Sequence, residues 1–318
     1  MGRLLLFVGC VSLLAGCDGE GGADAGGSRD AGPFSRDADT RSDAGLDAAT
    51  ADAGPRDAGS LDAGPSDSGA DAGLSDAGPP ELRLPPPNVG FDYQLGVAYA
   101  PPDGVQVVAR DRTATPAPGR YGICYVNGFQ TQPGERAFWM NEHPELLLRD
   151  SDGRPVVDPD WDEWMLDVTT PEKRAALAGI VGAWIDGCAA AGFDAVEIDN
   201  LDTYARSGGR VSQDDAVAFM RALADRAHAR GLAIAQKNAA EVLDRRGEMD
   251  TDFAVVEECN RYDECGDFTA AYGSRIFVIE YRRGDFAAGC RDFPEVSIVL
   301  RDLLLRSPVA PEYVYDGC

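Results

Sequence analysis

Short apolar runs alternate with longer amphipathic stretches through residues 88–318. Nine runs have the length of β-strands: Asp92–Gly96, Val105–Arg110, Tyr121–Asn127, Trp164–Val168, Ala195–Asp199, Ala233–Lys237, Phe253–Glu257, Ile276–Tyr281 and Ser297–Arg301. Several of them are apolar at consecutive positions, which is typical of strands buried on both faces of a parallel sheet. The pattern therefore predicts an α/β domain with a mainly parallel sheet.

Helix-capping signals mark two of the stretches between these strands. Thr170-Pro171 has the form of an N-cap followed by proline at the first helical position, and this helix is expected to end near Gly192. Ser212 and Asp215 form a capping-box pattern that opens a helix running to Gly231. Eight or nine strands alternating with helices in a segment of this length favour a closed (β/α)8 TIM barrel, with room for one extra strand, over an open sheet.

The N-terminus has a different pattern. Arg3 and the apolar run Leu4–Leu14 have the charge and length of a secretory signal, and the run is too short to span a bilayer. Leu14-Ala15-Gly16-Cys17 resembles the bacterial lipobox, in which the cysteine is acylated and becomes the new N-terminus. Residues 1–17 are therefore expected to be a lipoprotein signal peptide, with lipidation at Cys17 anchoring an exported protein to a membrane at the cell envelope or surface. An ordinary signal peptide with a chance cysteine is the alternative.

Residues 18–87 consist mostly of Asp, Ala, Gly, Ser and Pro, and Asp-Ala-Gly recurs along them. Because they have almost no aromatic or periodic apolar positions, they cannot bury enough surface to offset the entropy lost on ordering. We therefore expect a disordered Asp/Ala/Gly-rich linker over residues 18–87, followed by the barrel domain over residues 88–318.

The chain is acidic, with a formal net charge of −25 at pH 7. Arg3 contributes +1, and residues 18–85 contain fifteen acidic residues and five arginines, which together leave a net charge of −16 on the predicted domain. This charge argues against nucleic acid as a partner, because binding to phosphates requires Lys and Arg. It fits either a cationic partner or plain solubility, and composition does not decide between them.

Polar residues end or directly follow five of the predicted strands. They are Asp167, Asp199, Asn200, Lys237, Asn238, Glu257, Glu258, Glu280 and Tyr281. In a (β/α)8 barrel the C-terminal strand ends surround the active site. A ring dominated by carboxylates suits glycoside hydrolysis, which needs one carboxylic acid to protonate the leaving oxygen and one carboxylate to attack or stabilise the anomeric carbon.

Other chemistries lose support because their residues are missing from the sequence. His143 in a loop and His228 in an amphipathic helix are the two histidines, so neither a Ser-His-Asp triad nor a histidine zinc site is expected. The chain contains no glycine-rich nucleotide-binding pattern and no DxDxDG calcium loop. We therefore expect no metal and no cofactor.

Six cysteines lie in the predicted domain, where export would permit disulfides. Cys259 and Cys265 are close enough in sequence to close one loop, and they are the first pair that we predict. The sequence leaves the partners of the other four open: Cys124, Cys188, Cys290 and Cys318.

Seven short motifs follow one another along the predicted domain. They are Ile123-Cys124-Tyr125, Trp164–Asp167, Gly192–Asn200, Gly231–Asn238, Asp252–Cys259, Tyr262–Cys265 and Val278–Tyr281. Each is weak alone, but the ordered set resembles glycoside hydrolase family 114, the endo-α-1,4-polygalactosaminidases and their relatives, over roughly residues 90–305. The resemblance implies a (β/α)8 barrel, in agreement with the strand pattern.

The resemblance also implies that Asp199 and Glu257 are the catalytic pair. It implies Asp199 as nucleophile and Glu257 as general acid/base, in a double displacement that retains configuration with carboxyl groups about 5–5.5 Å apart. The two roles could be exchanged, because the sequence does not reveal which carboxyl is desolvated.

The implied substrate is an α-1,4-linked galactosamine polymer, which is cationic. Rim carboxylates could pair with its ammonium groups, and tyrosines could pack against its sugar rings. The expected substrate-binding residues are Tyr93, Tyr125, Asp167, Glu197, Asn200, Asp202, Tyr204, Lys237, Asn238, Glu258, Glu280 and Tyr281. Core packing is an equal alternative for the tyrosines, and Glu197 could instead form a buried pair with Lys237.

Two segments depart from the family pattern. Phe91–Gln94 stands where many relatives have a tryptophan-rich strand, and Val126–Pro133 stands in place of a Ser/Gly-rich turn. Both departures bear on the substrate more than on the reaction. A hydrolase of a different amino-sugar glycan and a non-catalytic, glycan-binding barrel at the cell surface are therefore the alternatives.

Overall fold

The computed structural model describes residues 82–318. The predicted signal peptide, Cys17 and residues 18–81 of the predicted linker lie outside the described residues. The strands are β1 Gly90–Gln94, β2 Val105–Asp111, β3 Tyr121–Asn127, β4 Val157–Asp158, β5 Glu163–Trp164, β6 Ala195–Asp199, β7 Ala233–Lys237, β8 Phe253–Glu257, β9 Ile276–Glu280, β10 Ser297–Arg301 and β11 Tyr315–Gly317.

Eight of these strands form the barrel. They are parallel and follow the order β1-β2-β3-β6-β7-β8-β9-β10, so each strand lies beside the next barrel strand of the sequence. β10 lies beside β1, so the sheet nearly closes on itself, and β11 pairs antiparallel with β10. The predicted (β/α)8 barrel is confirmed, and the extra strand of its sheet is β11, which is not among the strands predicted from the sequence.

Helices cover the outside of the barrel. They are α1 Arg136–Glu142, α2 Pro171–Ala191, α3 Thr203–Arg206, α4 Gln213–Ala229, α5 Arg246–Met249, α6 Cys259–Tyr262, α7 Cys265–Tyr272 and α8 Arg283–Asp292, with 3₁₀ turns at Pro133–Glu135, Pro144–Leu146 and Ala240–Arg245. Residues 95–104 and 112–120 connect the first three strands without a helix.

Both predicted helix starts are confirmed. The Thr170 side chain accepts a hydrogen bond from the backbone N–H of Lys173, and α2 ends at Gly192, whose φ of 90° is the left-handed conformation that glycine adopts without strain. Ser212 and Asp215 cap α4 reciprocally. By length and composition α2 could cross a membrane, but in this fold it packs against the barrel strands and α4.

Alternate residues of the barrel strands fill the barrel interior. Phe91, Val107, Ile123, Phe253 and Phe277 belong to this single apolar cluster. The residues between them face outwards and pack against the helices. Because residues i and i+2 share one face of a strand, the inward row of each strand continues to its C-terminal end, where polar side chains replace apolar ones.

Side chains join β10 to β1, where the sheet closes. Arg301, at the end of β10, is fully buried and donates to Asp92 Oδ1 at 2.8 Å and to the carbonyl oxygen of Tyr93. It also donates to the carbonyl oxygens of Val314 and Arg306, at 3.1 and 2.9 Å. A buried guanidinium with this many acceptors holds the two edge strands and the C-terminal segment together.

One predicted strand does not join the barrel. The sequence pattern predicts a strand at Trp164–Val168, but only Glu163–Trp164 is extended, and it pairs antiparallel with Val157–Asp158 in a short hairpin. The next two residues make isolated bridges and are buried in the cluster between β3 and α2. This prediction was wrong. An apolar run indicates that a segment is buried, but it does not indicate which sheet the segment joins.

Residues 82–87, the last part of the predicted linker, contact the barrel. Leu82 packs at the edge of the interior cluster. Arg83 pairs with Asp194 at 2.7 Å, and its carbonyl oxygen accepts from the Tyr121 hydroxyl at 2.7 Å. These residues are therefore part of the folded unit.

Three disulfides join the six cysteines of residues 82–318. The predicted pair Cys259–Cys265 is confirmed, and it joins the start of α6 to the start of α7. Cys124–Cys188 ties β3 to α2, and Cys290–Cys318 ties α8 to the residue after β11. Bonds of this kind persist in oxidising compartments.

Candidate active site

Lys237 is the centre of a polar cluster at the C-terminal mouth of the barrel. Its side chain is 2% exposed, and its Nζ lies 3.2 Å from one carboxylate oxygen of each of three residues, Glu197, Asp199 and Glu257. These carboxylates come from β6 and β8, the two strands that flank β7. One buried ammonium is therefore shared by three acidic side chains.

Each of these carboxylates also accepts a hydrogen bond from a tyrosine. Tyr93 donates its hydroxyl to Glu197 at 2.7 Å, and Tyr125 donates to Asp199 at 2.6 Å. Tyr281 donates to the third carboxylate, on β8. Such charge-assisted hydrogen bonds fix the orientation of a carboxylate. The three tyrosine hydroxyls therefore orient the three carboxylates.

The same local backbone conformation follows β6, β7 and β8, the strands that end at Asp199, Lys237 and Glu257. The residue that follows each strand has a left-handed backbone, with φ of 65° at Asn200, 49° at Asn238 and 56° at Glu258. Asparagine tolerates this conformation better than most residues, whereas glutamate adopts it at a cost. The chain therefore turns away directly after the last inward-facing side chain. Backbone strain of this kind clusters at active sites.

Asparagine amides support the strand ends. The Oδ1 atom of Asn238 accepts from the backbone N–H of Glu257 at 2.8 Å. Asn200 donates through Nδ2 to Asn127 Oδ1 at 2.9 Å, and Asn127 is the register partner of Asp199 on the neighbouring strand. These contacts hold the backbone on both sides of the carboxylate pair.

Asp199 is held in its ionised form. Burial by itself raises the pKa of this carboxyl, but the Lys237 ammonium, the Tyr125 hydroxyl and the backbone N–H of Asn200 together hold the pKa below its usual value. An ionised carboxylate in this position can attack a carbon that develops positive charge.

Glu197 shows the opposite balance. It is fully buried, and burial raises its pKa to about 7, with Asp199 and Glu257 adding to the rise and Lys237 opposing it. The pKa of Lys237 stays well above its usual value in spite of burial, because the three carboxylates stabilise its charge. The buried Glu197–Lys237 pair is therefore present, and Glu197 has no surface open to a substrate.

Asp167 and Glu280 lie apart from this cluster. Asp167 pairs with Lys173 at the start of α2 and accepts from Thr169. Glu280 is fully buried and faces the helix layer, where its Oε1 accepts from the backbone N–H and the Nδ2 of Asn260 at 3.0 and 3.1 Å. Both side chains support local structure at the strand ends.

Three of the expected substrate-binding residues lie in the segments that follow β6 and β8: Asp202, Tyr204 and Glu258. Asp202 pairs with Arg206 at 2.9 Å, and Glu258 pairs with Arg261 at 2.7 Å. Tyr204 lies in α3 and is 9% exposed. The carboxylates of these segments already have cationic partners within the chain.

Two further polar residues lie near Asp199, and neither is among the site residues predicted from the sequence. Asn127 ends β3, so the strand-end rule that selects Asp199 would have found it. Glu163 comes from the hairpin and accepts a hydrogen bond from Asn127 Nδ2 at 2.9 Å. No local pattern indicates that this hairpin lies against the mouth.

The fold and this site together define a class of enzyme. The carboxylates of Asp199 and Glu257 lie at the C-terminal mouth of a (β/α)8 barrel, each with one oxygen 3.2 Å from the Lys237 ammonium nitrogen. Asp199 is held in its ionised form. Paired carboxylates of this kind carry out glycoside hydrolysis, and barrel enzymes place their chemistry at this face. The class is that of the glycoside hydrolases.

The comparison with protein families specifies the family. The model of Glycoside-hydrolase family GH114 matches residues 73–318. The chain belongs to this family and is a glycoside hydrolase, as the ordered motifs of the sequence predict. A comparison with curated proteins gives no match.

Solved structures share the barrel. The Aspergillus fumigatus Ega3 complex with galactosamine is similar with a TM-score of 0.59 and 22% identity, over 74% of this chain and 98% of that chain. The glycoside hydrolase domain of PelA from Pseudomonas aeruginosa is similar with a TM-score of 0.50 and 16% identity, over 71% and 97% of the two chains. At these identities the likeness establishes the fold.

Proposed function

We propose that this protein is an exported, retaining endo-glycosidase that cleaves an α-1,4-linked galactosamine polymer. The observation that carries the proposal is the pair Asp199 and Glu257, each with an oxygen 3.2 Å from the same Lys237 nitrogen. The pair lies where barrel enzymes bind their substrates.

Asp199 is the nucleophile and Glu257 the general acid/base in this proposal. The lowered pKa of Asp199 keeps it ionised, and Glu257 is the more open of the two, with 28% against 19% of its side chain exposed. In the first step an Asp199 oxygen bonds to the anomeric carbon, while the departing glycosidic oxygen takes the Glu257 proton. In the second step Glu257 takes a proton from water, and the water oxygen displaces Asp199.

The spacing of the pair supports retention of configuration. The Asp199 and Glu257 oxygens that contact Lys237 Nζ cannot lie further apart than twice 3.2 Å. Retaining pairs are about 5–5.5 Å apart, whereas inverting pairs are about 6.5–9.5 Å apart to admit a water. Two carboxylates bound to one ammonium fit the closer arrangement.

A cationic polymer fits the charge of the domain. The residues after 85 carry a net charge of −16, and a field of this sign attracts polyamines. The similar Aspergillus fumigatus structure is a complex with galactosamine.

The test of the reaction compares Asp199→Asn and Glu257→Gln with matched controls. Asp103→Asn and Glu295→Gln make the same changes at exposed positions. We expect each site variant to lose chain cutting by about 10²–10⁴-fold or more, measured as reducing ends released from deacetylated polygalactosamine, while the melting temperature and the controls stay near wild type.

Each other outcome has its own meaning. Full activity in Asp199→Asn or Glu257→Gln would refute the catalytic assignment. An inverted anomer in the first NMR spectra of the product would refute retention. Binding of the polymer without any cutting by the wild type would identify a glycan-binding barrel, and cutting of another amino-sugar polymer would change the substrate.

A lipid anchor at Cys17 and a flexible linker over residues 18–81 complete the proposal. The lipobox-like sequence supports the anchor, and the three disulfides support export. A linker of about 64 residues has a root-mean-square span of roughly 40–48 Å. In a bacterial host, Cys17→Ser is expected to abolish incorporation of labelled palmitate and to move the protein from the membrane to the soluble fraction. Unchanged labelling would exclude this anchor.

A further inference from the structure

The hairpin formed by β4 and β5 lies against the end of β3. The backbone N–H of Thr131 donates to the carbonyl oxygen of Trp164 at 2.8 Å, and the N–H of Trp164 donates to Thr131 Oγ1 at 3.2 Å. These bonds fix the preceding residue, Glu163, beside the C-terminal mouth of the barrel.

Glu163 approaches the catalytic pair through Asn127. The Nδ2 atom of Asn127 donates to Glu163 Oε2 at 2.9 Å, and its Oδ1 accepts from Asn200 at 2.9 Å. Asn127 lies opposite Asp199 in the register of β3 and β6. The Glu163 carboxylate therefore lies one asparagine away from Asp199, and the residue is partly exposed.

Glu163 forms no ion pair within residues 82–318. The nearby cation is Arg206, and its guanidinium is engaged by Asp158 at 3.1 Å and by Asp202 at 2.9 Å. It also donates to Asn200 at 2.9 Å. A half-buried carboxylate at the mouth is thus left without an ion pair among residues 82–318, because the nearby guanidinium already contacts two aspartates.

The surroundings of Glu163 favour an incoming cation. Burial raises the pKa of Glu163 to about 7, and the negative charges of Asp199 and Asp158 add to the rise. The Asn127 hydrogen bond and the charge of Arg206 oppose it without cancelling it. A ligand ammonium beside this carboxylate would restore its ionised form and gain a charge-assisted hydrogen bond. A neutral acetamido group would offer no charge there.

We propose that Glu163 is a specificity-determining residue that binds the ammonium group of a 2-amino sugar next to the catalytic pair. The inference rests on the proposed function for its substrate class and adds the residue that distinguishes a free amine from an N-acetyl group. Glu163 contacts no reacting atom in this proposal, so it governs binding and not the chemical step.

The test compares wild type, Glu163→Gln and the exposed control Glu295→Gln on deacetylated and N-acetylated polygalactosamine. Glutamine keeps an oxygen for the Asn127 hydrogen bond and removes only the charge. We expect Glu163→Gln to lower kcat/KM on the deacetylated polymer by about 10–100-fold, mainly through KM, with no loss on the acetylated polymer. An equal loss on both polymers would show a merely structural role and overturn the inference.

A binding measurement separates this inference from the proposed function. Calorimetry with galactosamine oligosaccharides measures affinity even if the wild type cuts neither polymer. We expect Glu163→Gln to weaken this binding by the same factor, Glu163→Asp to weaken it less, and N-acetylated oligosaccharides to bind all variants alike. Unchanged affinity in Glu163→Gln would refute the inference, whereas tight, charge-dependent binding without cutting would refute only the proposed reaction.

Discussion

At the scale of single residues, the charge of Lys237 opposes burial and lowers the pKa of the Glu197 and Asp199 carboxyl groups beside it. Its buried ammonium contacts three carboxylates, one with a lowered and one with a raised pKa. Burying one cation with three acids is costly unless further hydrogen bonds satisfy them, and the three tyrosine hydroxyls supply those bonds.

Lys237→Met should lower the stability of the protein and raise the pKa of Asp199. Removing the cation leaves buried carboxylates uncompensated, so we expect a loss of about 3–5 kcal/mol in the free energy of unfolding at pH 7, measured by urea titration. The pKa of Asp199 should rise because its main favourable charge is gone, and the acidic limb of kcat/KM should move to higher pH. Lys173→Met, which breaks the half-exposed pair with Asp167, is the control and should leave that limb in place.

Glu280 should make the protein less stable at high pH. Burial raises its pKa to about 7, well above about 4.3 for an unfolded glutamate. The folded state therefore binds the proton more tightly, and stability falls as pH rises between these two values. Glu280→Gln should be more stable than wild type by about 2–4 kcal/mol at pH 8 and equal to it near pH 4. A difference that does not change with pH would contradict this reading.

At the scale of elements, the eight barrel strands and the polar residues at the ends of β6, β7 and β8 could be predicted from the sequence, but the hairpin could not. Apolar runs determine strands because a parallel barrel buries both faces, and the last inward residue of β6 or β8 is polar because it reaches the mouth. Glu163 lies in a short polar hairpin whose position depends on contacts with Thr131, far away in sequence. Glu280 was misjudged because strand ends also carry outward-facing side chains.

The junction of α4 with β7 and β8 contains a pH-sensitive pair. His228 Nε2 lies 2.9 Å from Asp252, which also accepts the backbone N–H of Ile234. The Asp252 hydrogen bond raises the pKa of His228, and burial opposes this rise. The stabilisation is therefore complete below the unfolded value of about 6.5 and is lost as pH rises through the folded pKa. His228→Gln should cost up to about 1 kcal/mol at pH 5.5 and little at pH 9, as followed by chemical denaturation.

At the scale of the whole molecule, the barrel is closed by side chains and covalent bonds as well as by strand pairing. Arg301 joins β10 to Asp92 of β1, and the C-terminal residue is bonded to α8. The two connections without helices are covered partly by this C-terminal segment: Tyr99 contacts Tyr313 edge to face, and Tyr315 packs against the cluster that contains Ala117. The catalytic mouth therefore rests on a frame fixed at three covalent points.

The three disulfides should separate stability from activity. Their sequence separations are 64 for Cys124–Cys188, 28 for Cys290–Cys318 and 6 for Cys259–Cys265. Loop-closure entropy then predicts losses of roughly 4, 3–4 and 2 kcal/mol when each pair is replaced by alanines. The loss of activity should follow the opposite order and be largest for the Cys259–Cys265 variant. Cys259 lies two residues after Glu257, in the turn that positions this residue, whereas the other two pairs lie outside the mouth. Denaturant titrations and kcat measured well below each transition would test both orders. Full kcat in the Cys259–Cys265 variant would contradict the activity order and show that Asn238, Tyr281 and Lys237 hold Glu257 in place without the disulfide.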